Sequence, residues 1–263
     1  MSKSLKIVLI GAGNVAGFLG EALKKNHCSI SKVYSRTHSS ANKLAKKLGA
    51  KACTEISKLD SDADVYLMAV KDDAISDLLN QIQFQPQLIL HTSGSVSLEV
   101  FSKKFKNCGV LYPLQTFSAG KTLDLSEVPF FVEANSKSNL TKIKTLALLL
   151  TKKIIPANSE KRKAIHVAAV FACNFTNHMY AIAESLLAKE KIPFSVLYPL
   201  IEETARKAES GSPKKLQTGP AIRRDSKVIK SHLGYLKNSK DFKKIYTLVS
   251  KSISDLSSKN GEK

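Results

Sequence analysis

Residues 6–16 read Lys6-Ile7-Val8-Leu9-Ile10-Gly11-Ala12-Gly13-Asn14-Val15-Ala16. A short apolar run ends in Gly-x-Gly-x-x-Ala and passes straight into a segment, 15–25, whose apolar residues recur at helical spacing. The glycine pattern carries meaning only between a strand and a helix, and both flanks are correct here. Gly11 permits a tight turn, Gly13 lets main chain approach a pyrophosphate, and small Ala16 allows close packing of helix on strand. Amides of Ala12, Asn14 and Val15 and the positive end of the helix then favour phosphate oxygens. The stretch predicts dinucleotide binding.

Outward from this turn, apolar runs at 6–10, 32–35, 65–70, 88–91, 109–111 and 130–133 alternate with amphipathic stretches at 15–25, 40–48, 75–82, 98–105 and 140–150. A last short strand falls near 153–155. Such alternation is the signature of a parallel sheet covered on both faces. After Pro156 the pattern becomes helical, with segments at 164–190, 194–208, 226–236 and 241–256, and the tail 257–263 is polar and reads as frayed. Residues 164–190 are apolar nearly all round and rich in alanine, which predicts a buried central helix. The expected fold is α/β: a Rossmann doubly wound, mostly parallel sheet over 1–157, followed by an all-α domain over 158–263.

The end of the second strand selects between nicotinamide coenzymes, because a carboxylate there accepts from a free ribose 2′-OH and repels a 2′-phosphate. It reads Val33-Tyr34-Ser35-Arg36-Thr37, without an acid. Ser35 and Thr37 supply hydroxyls and Arg36 a planar guanidinium suited to phosphate, so the expected cofactor is NADP. Ala69 and Val70, ending the strand before Lys71-Asp72-Asp73, are expected beside it, and the two aspartates read more readily as helix caps than as acids.

The chain has 263 residues, enough for a sizeable core, with 43% hydrophobic and 24% charged residues, so it is not a disordered chain. Four scattered cysteines without a Cys-x-x-Cys pair suggest neither a disulfide framework nor a metal site, and fit a reducing, cytoplasmic setting. The first apolar run is too short for a signal peptide or a membrane span. Charge is the outlier: 41 Lys+Arg against 22 Asp+Glu give +19. The cations are scattered, often as pairs such as Lys24-Lys25 and Lys46-Lys47, and read as solvated helix faces more readily than as a nucleic-acid surface.

Four further stretches stand in order: His91-Thr92-Ser93-Gly94-Ser95; Gly109-Val110-Leu111-Tyr112-Pro113-Leu114-Gln115-Thr116-Phe117; His166-Val167-Ala168-Ala169-Val170 with Asn174-Phe175; and Thr218-Gly219-Pro220-Ala221-Ile222-Arg223-Arg224-Asp225. With the glycine turn they resemble the Rossmann-like NADP oxidoreductases that carry a C-terminal helical domain of uncharacterised function. The resemblance covers nearly the whole chain. It places the protein near pyrroline-carboxylate reductase, prephenate dehydrogenase and the deazaflavin-dependent NADP oxidoreductases, in the wider 6-phosphogluconate and 3-hydroxyacid dehydrogenase group. It implies an N-terminal cofactor domain, a C-terminal helical domain that makes a homodimer, and an active site between the two. Tyr112 stands where such relatives usually carry His, and Arg224 where they carry Gly. The Lys-x-x-x-Asn pair of the 3-hydroxyacid dehydrogenases is missing, since Val170 lies four before Asn174.

Hydride transfer needs a group that exchanges a proton with a carbonyl, imine or hydroxy-acid substrate. His91, closing a strand at the expected nicotinamide end, is one candidate, with a structural histidine as the alternative. Ser93 either donates to an oxyanion or forms the turn. On a regular helix, Val170, Cys173 and Asn177 fall within about 40° of His166 and Asn174 about 80° round, so His166 and Asn174 border either one cleft or a core network or dimer contact. Arg223 either grips an anion or pairs with Asp225. The expectation is an NADP(H)-dependent oxidoreductase of a small molecule, with His91, Ser93, His166, Asn174 and Arg223 facing substrate. A non-catalytic NADP-binding sensor or assembly protein is the alternative, and a nucleic-acid-binding protein a weaker one.

Overall fold

A computed structural model describes residues 4–118 and 123–258. The described chain divides into two compact units, 1–172 and 173–263. The first runs β1 (Lys6–Ile10), α1 (Asn14–Lys25), β2 (Ser29–Tyr34), α2 (His38–Leu48), β3 (Lys51–Cys53), β4 (Val65–Met68), α3 (Ile75–Gln81), β5 (Ile89–His91), β6 (Cys108–Pro113), β7 (Phe130–Ala134), α4 (Lys137–Leu148), β8 (Ile154–Pro156) and α5 (Ser159–Ala169). These strands form one eight-stranded sheet in the order β3-β2-β1-β4-β5-β6-β7-β8. All neighbouring pairs are parallel except β6 with β7. The chain winds outward from β1 in one direction and from β4 in the other, so a topological switch lies between those two strands.

Alternation along β1 sends its side chains into two cores. Ile7 and Leu9 pack with Leu19 and Leu23 of α1 and with Leu44 and Leu48 of α2. Val8 and Ile10 pack on the opposite face with Ile75 and Leu79 of α3. A strand buried on both faces reads as an unbroken apolar run, which is why its sequence pattern was so clear. On the β6–β7 part of the sheet, Val110, Tyr112 and Phe131 form a smaller cluster against which Ile165 of α5 packs. That contact keeps α5 in the first unit, whereas the change in sequence texture comes earlier, at 157/158.

Three expectations are corrected. A short strand, β3, pairs with β2 over Lys51–Cys53, too few residues to show alternation. The helix expected over 98–105 is a single 3-10 turn, Leu98–Phe101, which ends as Ser102 turns to a φ of 48°. The single helix expected over 164–190 begins earlier, because the Asn158 side chain accepts from the amide of Lys161 and caps α5. It is then interrupted by a π-helical segment, Val170–Phe175, before α6 (Thr176–Lys189). Nor is it a buried helix within its own chain: no residue of α6 is buried, and Phe171 is 64% exposed.

The second unit holds α6, α7 (Tyr198–Ser210), α8 (Ser226–Tyr235) and α9 (Lys240–Ser258). Its own ties include His232 Nδ1 to Tyr246 Oη at 2.8 Å and the Tyr235 hydroxyl donating to Glu190 at 2.8 Å. Of the tail expected to fray, residues 259–263 lie outside the described residues. No described helix is long and apolar enough to cross a membrane.

Candidate functional site

The glycine turn is built as the chemistry requires. Gly11 has a φ of 122°, and a Cβ placed on it would lie 2.2 Å from the carbonyl oxygen of Ala69. Its amide donates to the Tyr34 carbonyl at 2.8 Å, and the Ala69 amide donates to that of Ile10 at 2.8 Å, so the turn is bolted to both neighbouring strand ends. Gly13 is the N-cap of α1, with nothing within 4 Å of an added Cβ. No side chain caps this helix, and no acid occupies its first turn. Its leading amides face an open main-chain surface, the arrangement that receives a phosphate.

A cavity of about 920 Å³ crosses the carboxyl ends of β1, β2, β4 and β5. Of the expected cofactor residues, Gly11, Ala12, Gly13, Asn14, Val15, Ser35, Arg36, Ala69 and Val70 line it. Two expected residues do not. Ala16 is fully buried on the core face of α1, where its small size serves packing, and Thr37 turns its hydroxyl to Ser40 at 2.9 Å. Thr92, Gln115 and Phe117 were missed and close the end opposite Arg36; the Asn14 side-chain amide donates to the Phe117 carbonyl at 2.7 Å. Arg36 is exposed and has no ion-pair partner among the described residues. A larger cleft, about 1190 Å³, opens between α1, α2 and the segments at 123–126 and 148–152. It shares Ala12, Gly13, Asn14 and Ser40 with the smaller cavity but reaches neither Arg36 nor the ends of β4 and β5, where ligands of doubly wound sheets bind, so the smaller cavity is the coenzyme candidate.

His91 is placed in the core and not at the cavity. It is fully buried, shares the α3 side of the sheet with Ile89, and stacks on Phe101 with centroids 5.5 Å apart. Its Nδ1 accepts from the amide of Ser93 at 3.2 Å, while Nε2 has no hydrogen-bond partner among the described residues. Burial, reinforced by the charge of Arg162, pushes its pKa down to about 3. A ring so sealed is neutral and cannot serve as the proton donor.

This ring makes folding pH-dependent. The unfolded histidine binds a proton at about pH 6.5 and the folded one only near 3, so its contribution is complete above about pH 6.5 and is lost as pH falls toward 3. The urea midpoint is expected to drop between pH 7 and pH 5, a window above most carboxylate titrations, and to drop less in His91→Gln. An equal drop in both chains would refute this.

Ser93 forms the turn: its Oγ accepts from the amides of Ser95 at 3.1 Å and Val96 at 3.0 Å. Asp72 does not cap a helix but accepts from the Ser95 hydroxyl. Under the turn lies Arg162, missed by sequence reading and fully buried. Its Nε donates to the Ser93 carbonyl at 3.2 Å, its terminal nitrogens reach the Val96 carbonyl and the Glu133 carboxylate, and Ser159 donates its amide to Glu133 at 2.9 Å. One turn further along α5, His166 is half-exposed, and its Nδ1 lies 3.0 Å from the Tyr112 hydroxyl.

Asn174 and Arg223 belong to the second unit and are exposed. The π segment breaks the regular projection that set Asn174 beside His166. Asp225 caps α8 by accepting from the Val228 amide at 3.1 Å, and no ion pair joins it to Arg223.

A dinucleotide turn at the switch point of a doubly wound sheet, with a helical unit following, defines a Rossmann-type oxidoreductase architecture. The chain belongs to the NADP oxidoreductase family. Residues 6–93 match the family model described as NADP oxidoreductase, coenzyme F420-dependent, and residues 128–253 match a domain of unknown function, DUF2520. A Bacteroides fragilis protein described provisionally as an NADP oxidoreductase is 44% identical over 96% of this chain and 98% of its own, with a TM-score of 0.90. Two more distant structures share the fold. A Thermotoga maritima protein is 24% identical over 96% of this chain and 99% of its own, with a TM-score of 0.78. The imine reductase of Myxococcus stipitatus, solved with NADP+, is 15% identical over 97% and 95%, with a TM-score of 0.72. No curated protein matches the chain.

Proposed function

We propose that the protein binds NADP(H) in the 920 Å³ cavity and transfers hydride to or from a small carbonyl, imine or hydroxy-acid substrate. The observation that carries this reading is the pairing of the open Gly13 main chain with an uncommitted Arg36 at the far end of the same cavity. Gly11 to Val15 hold the pyrophosphate, Ser35 and Arg36 the 2′-phosphate, and Ala69 and Val70 flank the nicotinamide ribose. Bound coenzyme supplies the hydride. Ser93 shapes the floor of the substrate side and His166 faces it.

A second copy of the chain belongs to this reading, because a helix as apolar as α6 needs a covering surface that the described residues do not provide. Four free thiols suit a cytoplasmic setting. A coenzyme-binding sensor without turnover is the competing reading, favoured by one fact: His91, next to the cavity-lining Thr92, is sealed in the core. Saturable NADPH binding without oxidation across a panel of oxo acids, aldehydes and imines would decide for it.

Fluorescence titration with NADPH and NADH tests the coenzyme assignment. Arg36→Ala is expected to weaken NADPH binding roughly 10- to 100-fold, as befits a charge-assisted contact worth about 1.5–3 kcal/mol, and to leave NADH binding within about twofold. Equal losses for both nucleotides, or a wild-type preference for NADH, would remove Arg36 from that role.

A further inference from the structure

We propose that Tyr112 and His166 form the proton-exchanging pair of the site, with His166 presenting Nε2 to the substrate and Tyr112 holding its ring. The inference rests on the oxidoreductase reading above and assigns the proton, which that reading leaves without an owner once His91 is withdrawn.

Three observations meet on this pair. Tyr112 lies one residue before the end of β6 and is buried, while His166 is half-exposed on α5, so their hydrogen bond of 3.0 Å joins a fixed partner to an accessible one. The bond is made through Nδ1, which leaves Nε2 as the free corner of the ring. Gly94 then closes over the bonded side: a Cβ there would lie 2.7 Å from Tyr112 Cζ and 2.8 Å from His166 Nδ1. Main chain therefore covers the Tyr112 side of the imidazole, and Nε2 is the ring nitrogen left for a ligand. The turn that carries Gly94 also carries Thr92, which lines the coenzyme cavity, and Tyr112 lies three residues before Gln115, which lines it too.

The charged neighbours of the pair are Asp72, held by Ser95, and Arg162, held by Glu133. Burial, with the Asp72 carboxylate adding to it and Arg162 opposing, raises the Tyr112 pKa and keeps its hydroxyl protonated at neutral pH. Tyr112 is thus a positioning residue that can accept from or donate to Nδ1, whichever protonation state the ring adopts.

In the reducing direction the substrate carbon gains hydride from reduced nicotinamide, and the carbonyl or imine heteroatom gains the Nε2 proton of an imidazolium. The ring becomes neutral, its remaining proton on Nδ1 donated to the Tyr112 oxygen, and water returns a proton to Nε2. Oxidation runs the same transfers backwards.

Nitrogen NMR of the full chain with labelled histidine tests the pair, with the His166 signal assigned by its loss in His166→Gln. Saturating NADP+ is expected to move that signal. Tyr112→Phe is expected to move the His166 Nδ1 signal, which loses its hydrogen-bond partner, and to keep NADPH affinity within about twofold. A His166 signal indifferent to bound NADP+, or an Nδ1 signal unchanged in Tyr112→Phe, overturns the proposal. If Tyr112→Phe does not fold, the NADP+ response of the wild-type chain decides alone. A flat NADPH titration of the wild-type chain overturns the coenzyme reading itself, and this inference with it.

Discussion

Gly11→Ala is expected to lose roughly 3–5 kcal/mol of folding stability, the sum of a left-handed backbone penalty and core overpacking, together with measurable NADPH binding. The new methyl would lie 2.2 Å from the Ala69 carbonyl oxygen, 2.8 Å from its carbon and 3.1 Å from Val70 Cγ1. Two of those three atoms are main chain on a central strand end, so no rotamer change relieves the contact. Nor can the strands part, because the Gly11 and Ala69 amides are both committed to neighbouring carbonyls. At a typical domain stability of about 5–15 kcal/mol, such a loss is a large fraction of the whole. Gly13→Ala is the informative control. Its methyl meets nothing within 4 Å, so the urea midpoint should stay at the wild-type value while NADPH binding falls, since the methyl occupies space the pyrophosphate needs. A Gly11→Ala chain with the wild-type midpoint would show that the turn is not built as described.

The second large effect is expected at Arg162. Replacing this guanidinium with methionine takes this donor from the carbonyls of Ser93 and Val96 and leaves the Glu133 carboxylate with Ser159 as donor but without its counter-charge. Breaking one side of a buried pair costs about 3–5 kcal/mol; Glu133 keeps some solvent contact, which places this case at about 3. Most of that cost comes from the stranded charge, so Arg162→Met with Glu133→Gln should recover part of it. Urea unfolding of the single and double variants measures the difference; a double variant no more stable than Arg162→Met would contradict the account. The 93–96 turn should also loosen, carrying Gly94 away from Tyr112 and His166.

What the sequence revealed depended on how many neighbours enforce each pattern. The β1 run is buried on both faces, so every residue from Ile7 to Ile10 had to be apolar, and the glycines after it are dictated by a positive φ and an open main chain. Such constraints leave their mark in one short stretch. Arg162 left none, because a single buried cation looks like any other among 41 lysines and arginines until the fold brings Glu133 beside it. The two histidines show the limit most plainly. His91 and His166 both sit beside small polar or apolar residues, yet β5 alternation turns His91 inward with Ile89, whereas α5 leaves His166 half-exposed. Position along the chain was legible, but the face depended on a three-residue strand too short to read. The π segment at 170–175 was hidden for a similar reason: its residues are as apolar as the helices on either side.

The two margins of the sheet carry a consequence for the protein in concentrated solution. β3 and β8 are three residues long, and β8 ends in Pro156, which has no amide hydrogen to offer a newcomer. Lys51 opens one border, and Lys152 and Lys153 precede the other. A stray strand would find too few rungs on either side and meet positive charge as it approached, so the sheet is protected against growing by recruitment into fibrils or swapped assemblies.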